Sequence, residues 1–184
     1  EATMEIAKGL KEKGTLIAID PACAEHGKLY SIFDESYKEK ILELCKMADI
    51  VMPNFTEGKM LAGLDMELEP TPENARMILN ILRHNGYKKV LLSGIIDDDK
   101  QGTATLNGGK IAFQYNTHFN EYIHGAGDCL SSAFIGKLMS GCSFEDAAQK
   151  AVDFCHDLIA ISLKQKADLR FGLLIERALP LLMK

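Results

Sequence analysis

At 184 residues, 47% hydrophobic and 26% charged, the chain is long enough to bury one sizeable core. A formal charge of -5 with no cluster of lysines and arginines argues against a nucleic-acid partner, and no apolar run reaches the roughly 20 residues needed to span a bilayer. Cys23, Cys45, Cys129, Cys142 and Cys155, odd in number and scattered, read as reduced thiols in a cytoplasmic protein, and the histidines lack metal-ligand spacing.

The first helix is predicted from Ala2 to Lys13, with Ile6, Ala7 and Leu10 on one face and Gly14 as its stop. Thr15 to Ile19 is a continuous apolar run, as in a strand buried on both faces of a parallel sheet, and Asp20-Pro21 ends it. A glycine-containing loop, His26 to Tyr30, leads to a helix over Ser36 to Met47. Asp49 to Met52 reads as a second buried strand closed by Pro53-Asn54, and Thr56 to Ala62 as a short helix. Pro72 opens the next helix, which runs to about His84. Lys88 to Ser93 is the third strand, stopped by Gly94, and Asp97-Asp98-Asp99 reads as a solvated loop. Thr103 to Leu106 and Lys110 to Tyr115 form a predicted hairpin around Asn107-Gly108-Gly109. Three helices follow: one to about Met139, one from Ser143 to Lys164 and one from about Leu173 to Leu179.

The stretch from Tyr122 to Phe134 organises the rest. Gly125, Ala126 and Gly127 make a turn with little side-chain bulk, and Leu130, Ala133, Phe134 and Leu138 follow at helical spacing. Such a turn aims free N–H groups at one point, and the helix dipole adds partial positive charge there, which suits a phosphate or a developing anion. Asp128 beside it has two readings. It is either a base that takes a proton from a hydroxyl attacking a phosphoryl group, or an N-terminal cap that accepts backbone hydrogen bonds. The strand ends favour the first. Ligands of parallel α/β sheets bind off the carboxyl ends of the strands, and those ends carry Asp20, Asn54 with Glu57, and Ser93. The fold expected is therefore α/β, a three-layer α/β/α sandwich with a mainly parallel sheet, in a single domain over 1–184.

Asn54-Phe-Thr-Glu57 resembles the N-x-x-E signature of the ribokinase superfamily of small-molecule kinases, and Gly125-Ala-Gly-Asp128 resembles its G-A/T-G-D signature. The loop Asp20-Pro-Ala-Cys-Ala-Glu-His-Gly-Lys-Leu-Tyr30 is similar to D-P-V-M-G-D-x-G-x-L-Y of the pyridoxal (vitamin B6) kinases, and Pro53-Asn54-x-Thr56-Glu57 to their T-P-N-x-T-E. The resemblance runs from Ile19 to the last helix. It implies a ribokinase-like fold with ATP and Mg²⁺ as cofactors. Asp128 would be the base, and the Gly125, Ala126 and Gly127 amides would stabilise the transferring γ-phosphoryl group. Glu57, with Asn54, would hold Mg²⁺ through water, and Asp20 would join that cluster. Asn54, Thr56, Ser93, Glu25 and Tyr30 would contact the nucleotide. Taken singly, Glu57 reads equally well as an exposed first-turn helix residue, and Tyr30 as packing. The implied partner is a small-molecule alcohol, a vitamin B6 vitamer, with no membrane and no nucleic acid involved; a homodimer is the usual assembly.

Cys23, Ala24 and Glu25 stand where the family pattern has Met, Gly and Asp, and Ala126 agrees with the sugar-kinase relatives instead of the pyridoxal-kinase Thr. Hydroxymethylpyrimidine kinases usually carry Cys at the Asp128 position, so Asp128 favours the pyridoxal branch. Family members carry a further segment ahead of the helix at Ala2. The chain is thus expected to be a C-terminal portion, with Ile17 and Ile19 on an edge that the missing segment or a second copy would cover. Three readings remain: phosphorylation of the 5′-hydroxymethyl group of pyridoxal, pyridoxine or pyridoxamine by ATP; a sugar or nucleoside kinase of the same superfamily; and a nucleotide-binding but inactive fragment.

Overall fold

A computed structural model describes residues 2–121, 123–166 and 168–182. The chain falls into two compact units, Glu1–Ile95 with Ala104–Ile111, and Ile96–Thr103 with Ala112–Lys184. The main sheet has the strand order β1 (Ala18–Ile19), β4 (Ile50–Val51), β5 (Lys89–Asp97), β6 (Lys100–Asn107), β7 (Lys110–Thr117).

In the first unit, α1 (Ala2–Glu12) buries only Ala7. Its last turn is tied down by Lys11, which donates to the Met47 carbonyl and lies 3.6 Å from Asp49. Asp49 in turn accepts the Ile17 N–H at 2.8 Å, so this polar pair aligns the approach to β1 (Ala18–Ile19) with β4 (Ile50–Val51). The two strands are parallel, Ala18 opposite Ile50 and Ile19 opposite Val51, and Val51 pairs in parallel with Val90 of β5 (Lys89–Asp97). β1 is the terminal strand of the sheet, as the apolar-edge expectation required. The exposed residue there is a different one. Ile17 is buried and Ile19 half-buried, whereas Leu16 is 46% exposed, because successive side chains of an extended segment point to opposite faces.

The segment predicted as a plain loop after β1 holds a small antiparallel hairpin, β2 (Ala24–Glu25) and β3 (Lys28–Leu29). His26 (φ 50°) and Gly27 (φ 76°) form its turn, both left-handed, as a two-residue hairpin turn of the primed type requires. α2 (Glu35–Met47) starts at Asp34, whose carboxylate accepts the Tyr37 N–H. α3 (Phe55–Ala62) ends at Gly63 in the left-handed region. α4 (Pro72–His84) matches its predicted span; Thr71 caps it, and Ala75, Ile78, Leu79 and Leu82 are its buried stripe.

The third strand does not stop at Ser93. Gly94 (φ 78°) lets the backbone bend and continue to Asp97, so the residue read as a terminator acts as a kink within β5. Asp98 and Asp99 then form the two-residue link to β6 (Lys100–Asn107), and Gly108-Gly109 links β6 to β7 (Lys110–Thr117). Links this short allow only antiparallel pairing. The sheet is therefore mixed: parallel through β1, β4 and β5, and antiparallel onward.

In the second unit, α5 (Ala126–Met139) and α6 (Phe144–Lys164) pack together, with Phe134 and Phe144 edge to face at 5.0 Å. Ser143 caps α6 by accepting the Asp146 N–H at 3.1 Å, as the sequence predicts. Gln149 of α6 donates to the Tyr115 carbonyl of β7. After a short 3-10 helix (Leu169–Phe171), α7 (Ile175–Leu182) begins two residues later than predicted. The Leu174 N–H is engaged by the buried Ser162 hydroxyl at 3.0 Å, which fixes the approach to that helix.

Two glycines separate tolerable from intolerable crowding. A Cβ at Gly102 would lie 1.9 Å from the Gln114 carbonyl oxygen, which is backbone and cannot step aside. One at Gly58 would meet the Leu92 Cδ1 at 2.5 Å, the mobile end of a side chain. Gly102→Ala should thus cost about 3 kcal/mol or prevent folding, while Gly58→Ala, helped by better helix propensity, should stay within about 1 kcal/mol in urea unfolding. All five cysteines are free thiols. Burial pushes Cys23, Cys45 and Cys155 up to about 12, leaving almost no thiolate at neutral pH. Native-state alkylation followed by mass spectrometry should label the half-buried Cys129 and Cys142 first, and label those three only under denaturant.

Candidate functional site

The first unit gathers its polar residues at the amino end of α3. Asn54 is the N-cap: its Oδ1 accepts the Glu57 N–H at 2.9 Å, and Glu57 Oε2 accepts the Asn54 N–H at 3.0 Å. This reciprocal capping box satisfies two N–H groups that the helix cannot. The remaining Glu57 oxygen reaches away from the helix. Oε1 accepts the N–H groups of Cys23 at 2.7 Å and Ala24 at 3.3 Å. Asn54 Nδ2 donates to the Ala24 carbonyl at 2.7 Å, and Thr56 Oγ1 accepts the Gly27 N–H at 3.1 Å. Asn54, Thr56 and Glu57 therefore all hold the β2–β3 hairpin by its main chain.

Glu57 is 1% exposed, which overturns its alternative reading as an exposed first-turn residue. Burial pushes its carboxyl upward, the Cys23, Asn54 and Ala24 amides pull it down, and the Asp20 charge adds a smaller upward push. The Cys23 thiol is raised by burial first and by Glu57 next. Asp20, half-buried just beyond β1, lies within electrostatic reach of both. Ser93 forms a parallel bridge with Asn54, and its N–H donates to the Pro53 carbonyl at 3.0 Å. Asp20, Asn54, Glu57 and Ser93 are thus brought together by strand pairing, although Ser93 lies within β5 and not at its end. Glu25 sits on β2 opposite Lys28. Tyr30, 41% exposed, lies at the open end of the hairpin; its N–H donates to the Cys23 carbonyl and its ring is 6.4 Å from Phe33. Ala22 (φ 42°) enters this segment in the left-handed region, a conformation costing about 1–2 kcal/mol for a residue with a Cβ. The bonds that Glu57 makes to the next two amides hold it there.

The second unit carries the glycine turn. Gly125 (φ 81°) is the N-cap of α5 and supplies no side-chain cap. Asp128 lies in the first turn, three residues past the N-cap position, and is exposed. It stands on a cavity of about 420 Å³ that Cys129, Ser132, Phe154 and Leu179 also line. Sequence reasoning did not include Cys155, whose thiol donates to the Ala126 carbonyl at 3.9 Å from α6. Tyr122, which opens the predicted stretch, lies outside the described residues. An uncapped helix end with an exposed carboxylate one turn inside can bind an anionic group and take a proton beside it.

Among the described residues no three His, Cys, Asp or Glu side chains are grouped to hold a metal ion. With both oxygens on main-chain amides, Glu57 does not fit a direct ligand. Half-buried Asp20 fits a carboxylate acting through water on an ion carried by a nucleotide's phosphates.

The chain is 26% identical over 173 residues to the pyridoxal kinase of Dictyostelium discoideum, a match covering 85% of this chain and 55% of that protein. It spans about half the length of the curated relatives it matches. A Bacteroides thetaiotaomicron protein solved in a form with pyridoxal superposes with a TM-score of 0.87 at 26% identity, covering 97% of this chain and 65% of that one. The pyridoxal kinase of Lactobacillus plantarum gives 0.80 at 25% identity, covering 91% and 61%. The likeness shows that the chain shares the α/β fold of these neighbours. With residues 1–170 matching the family model, the chain belongs to the phosphomethylpyrimidine kinase family.

Proposed function

We propose that the protein transfers a phosphoryl group from ATP to the 5′-hydroxymethyl oxygen of pyridoxal, pyridoxine or pyridoxamine, with Asp128 as the general base. The observation that carries this reading is the start of α5: a left-handed Gly125, no side-chain cap, and an exposed Asp128 within the first turn. The Gly125, Ala126 and Gly127 amides are the donors that would meet charge developing on the γ-phosphoryl group. Asp128 takes the alcohol proton as the oxygen attacks, so no like charge faces the phosphate at the end of the step. Ser93, Glu25 and Tyr30 would form the nucleotide side, with Asn54 and Thr56 behind them on the hairpin's main chain. Mg²⁺, arriving on the nucleotide and held through water by Asp20, would supply neutralisation of phosphate charge. The vitamer preference draws its support from the relatives, pyridoxal kinases among them. Ala126, shared with sugar kinases, supports a sugar or nucleoside acceptor as the second reading.

Two experiments test these assignments in the intact protein. ATP-dependent phosphate transfer screened over the three vitamers, several sugars and a nucleoside should give turnover with the vitamers; turnover confined to a sugar or nucleoside would select the second reading, and none at all would leave the inactive nucleotide-binding module. Asp128→Ala should lower kcat by about 10²–10⁴-fold while nucleotide affinity, read by calorimetry, stays within about threefold. Normal turnover in Asp128→Ala would remove the base from the mechanism.

A further inference from the structure

The superfamily resemblance gives Glu57 to the metal, and the geometry gives it to the backbone. One oxygen accepts two main-chain N–H groups at 2.7 and 3.3 Å, the other accepts one at 3.0 Å, and the residue is 1% exposed. A magnesium ion needs near-ideal octahedral geometry and usually keeps several of its waters, which demands oxygens that look outward. Asn54 and Thr56 act in the same direction as Glu57: each spends its polar side-chain atoms on the hairpin or on the cap of α3. The hydrogen bonds these three side chains make to the hairpin segment are to main chain, and they fall between Cys23 and Gly27. The strained Ala22 immediately before this stretch is a second sign that the segment is held in a conformation it would not adopt alone.

We infer that Asn54, Thr56 and Glu57 form a clamp that preorganises the Cys23–Tyr30 segment, and that Glu57 is a positioning residue for the nucleotide, not a metal ligand. Glu25 and Tyr30, both on the clamped segment, are the residues the clamp would present. Preorganisation of this kind shows mainly in nucleotide affinity, because an unclamped hairpin must be ordered each time the ligand binds.

The kinetic consequence rests on the kinase reading, whereas the clamp itself is observable with no substrate present. Amide hydrogen exchange on the intact protein should show Asn54, or else Cys23 and Ala24, exchanging at least 10-fold faster in Glu57→Gln, whose single carbonyl oxygen cannot serve both sets of amides. In Thr56→Val, Gly27 alone should exchange faster. Thr56→Val should also raise the nucleotide KM by about 5–20-fold, more than it lowers kcat, and Thr56→Ser should restore it. The Mg²⁺ concentration for half-maximal activity should stay within about twofold in Glu57→Gln. Unchanged exchange at Cys23, Ala24 and Asn54 with a tenfold or greater rise in that Mg²⁺ requirement would overturn the proposal and return Glu57 to the metal. If Glu57→Gln fails to fold, Thr56→Val decides alone: wild-type exchange at Gly27 or a wild-type KM overturns the clamp. Altered exchange in a protein that transfers no phosphate would sink the kinase reading and leave the clamp standing.

Discussion

The geometry of the first unit depends on one buried carboxylate. Removing an ion such as Glu57 from water costs several kcal/mol even after relaxation, while each hydrogen bond to a charged group returns about 1.5–3 kcal/mol. With three main-chain donors the two sums are comparable, and the upward displacement of its carboxyl says that burial has the larger share. The arrangement also supports the order of the segment between β1 and β3: Glu57 and Thr56 supply acceptors for its Cys23, Ala24 and Gly27 N–H groups.

Strand pairing does the rest in that unit. The parallel ladder sets Ile19 beside Val51 and brings Asn54 to Ser93, so short strands suffice to assemble residues that are 39 positions apart in the chain. Buried Lys59 secures the far side of α3 by donating to the Met66 and Leu68 carbonyls, with its ammonium 5.3 Å from the Phe55 ring. Both ends of α3 are thus pinned to neighbouring backbone, and a pinned helix is what the capping box needs if it is to hold a hairpin as well as start a helix.

Much of this was legible from residue order. Helices with strong punctuation were read closely: Pro72 at the start of α4, Ser143 before α6, Gly63 after α3. The glycine turn reads from sequence as a helix start, and α5 does begin there, with Gly125 at its N-cap. What failed to show were features that depend on partners distant in sequence. The β2–β3 hairpin has two strands of two residues, too short for any periodicity, and exists because α3 holds it. His26-Gly27 was the available signal, since a residue that tolerates left-handed backbone before a glycine can form a primed turn. Gly94 misled because glycine marks both strand ends and kinks within strands, and only the pairing partner tells which.

The two signatures that carried the family resemblance therefore differ in physical kind. Gly125-Ala-Gly-Asp128 presents groups outward: a helix start with no side-chain cap from its N-cap residue, and an exposed carboxylate. Asn54-Phe-Thr-Glu57 turns its groups inward, onto a cap and a hairpin, dispositions that repay themselves without any ligand. A short motif can be retained for either reason, and residue identity does not distinguish them. Burial and hydrogen-bond accounting do. On the proposed reading chemistry would belong to Asp128, and by that criterion Glu57 sits in the framework that holds the Cys23–Tyr30 segment in place.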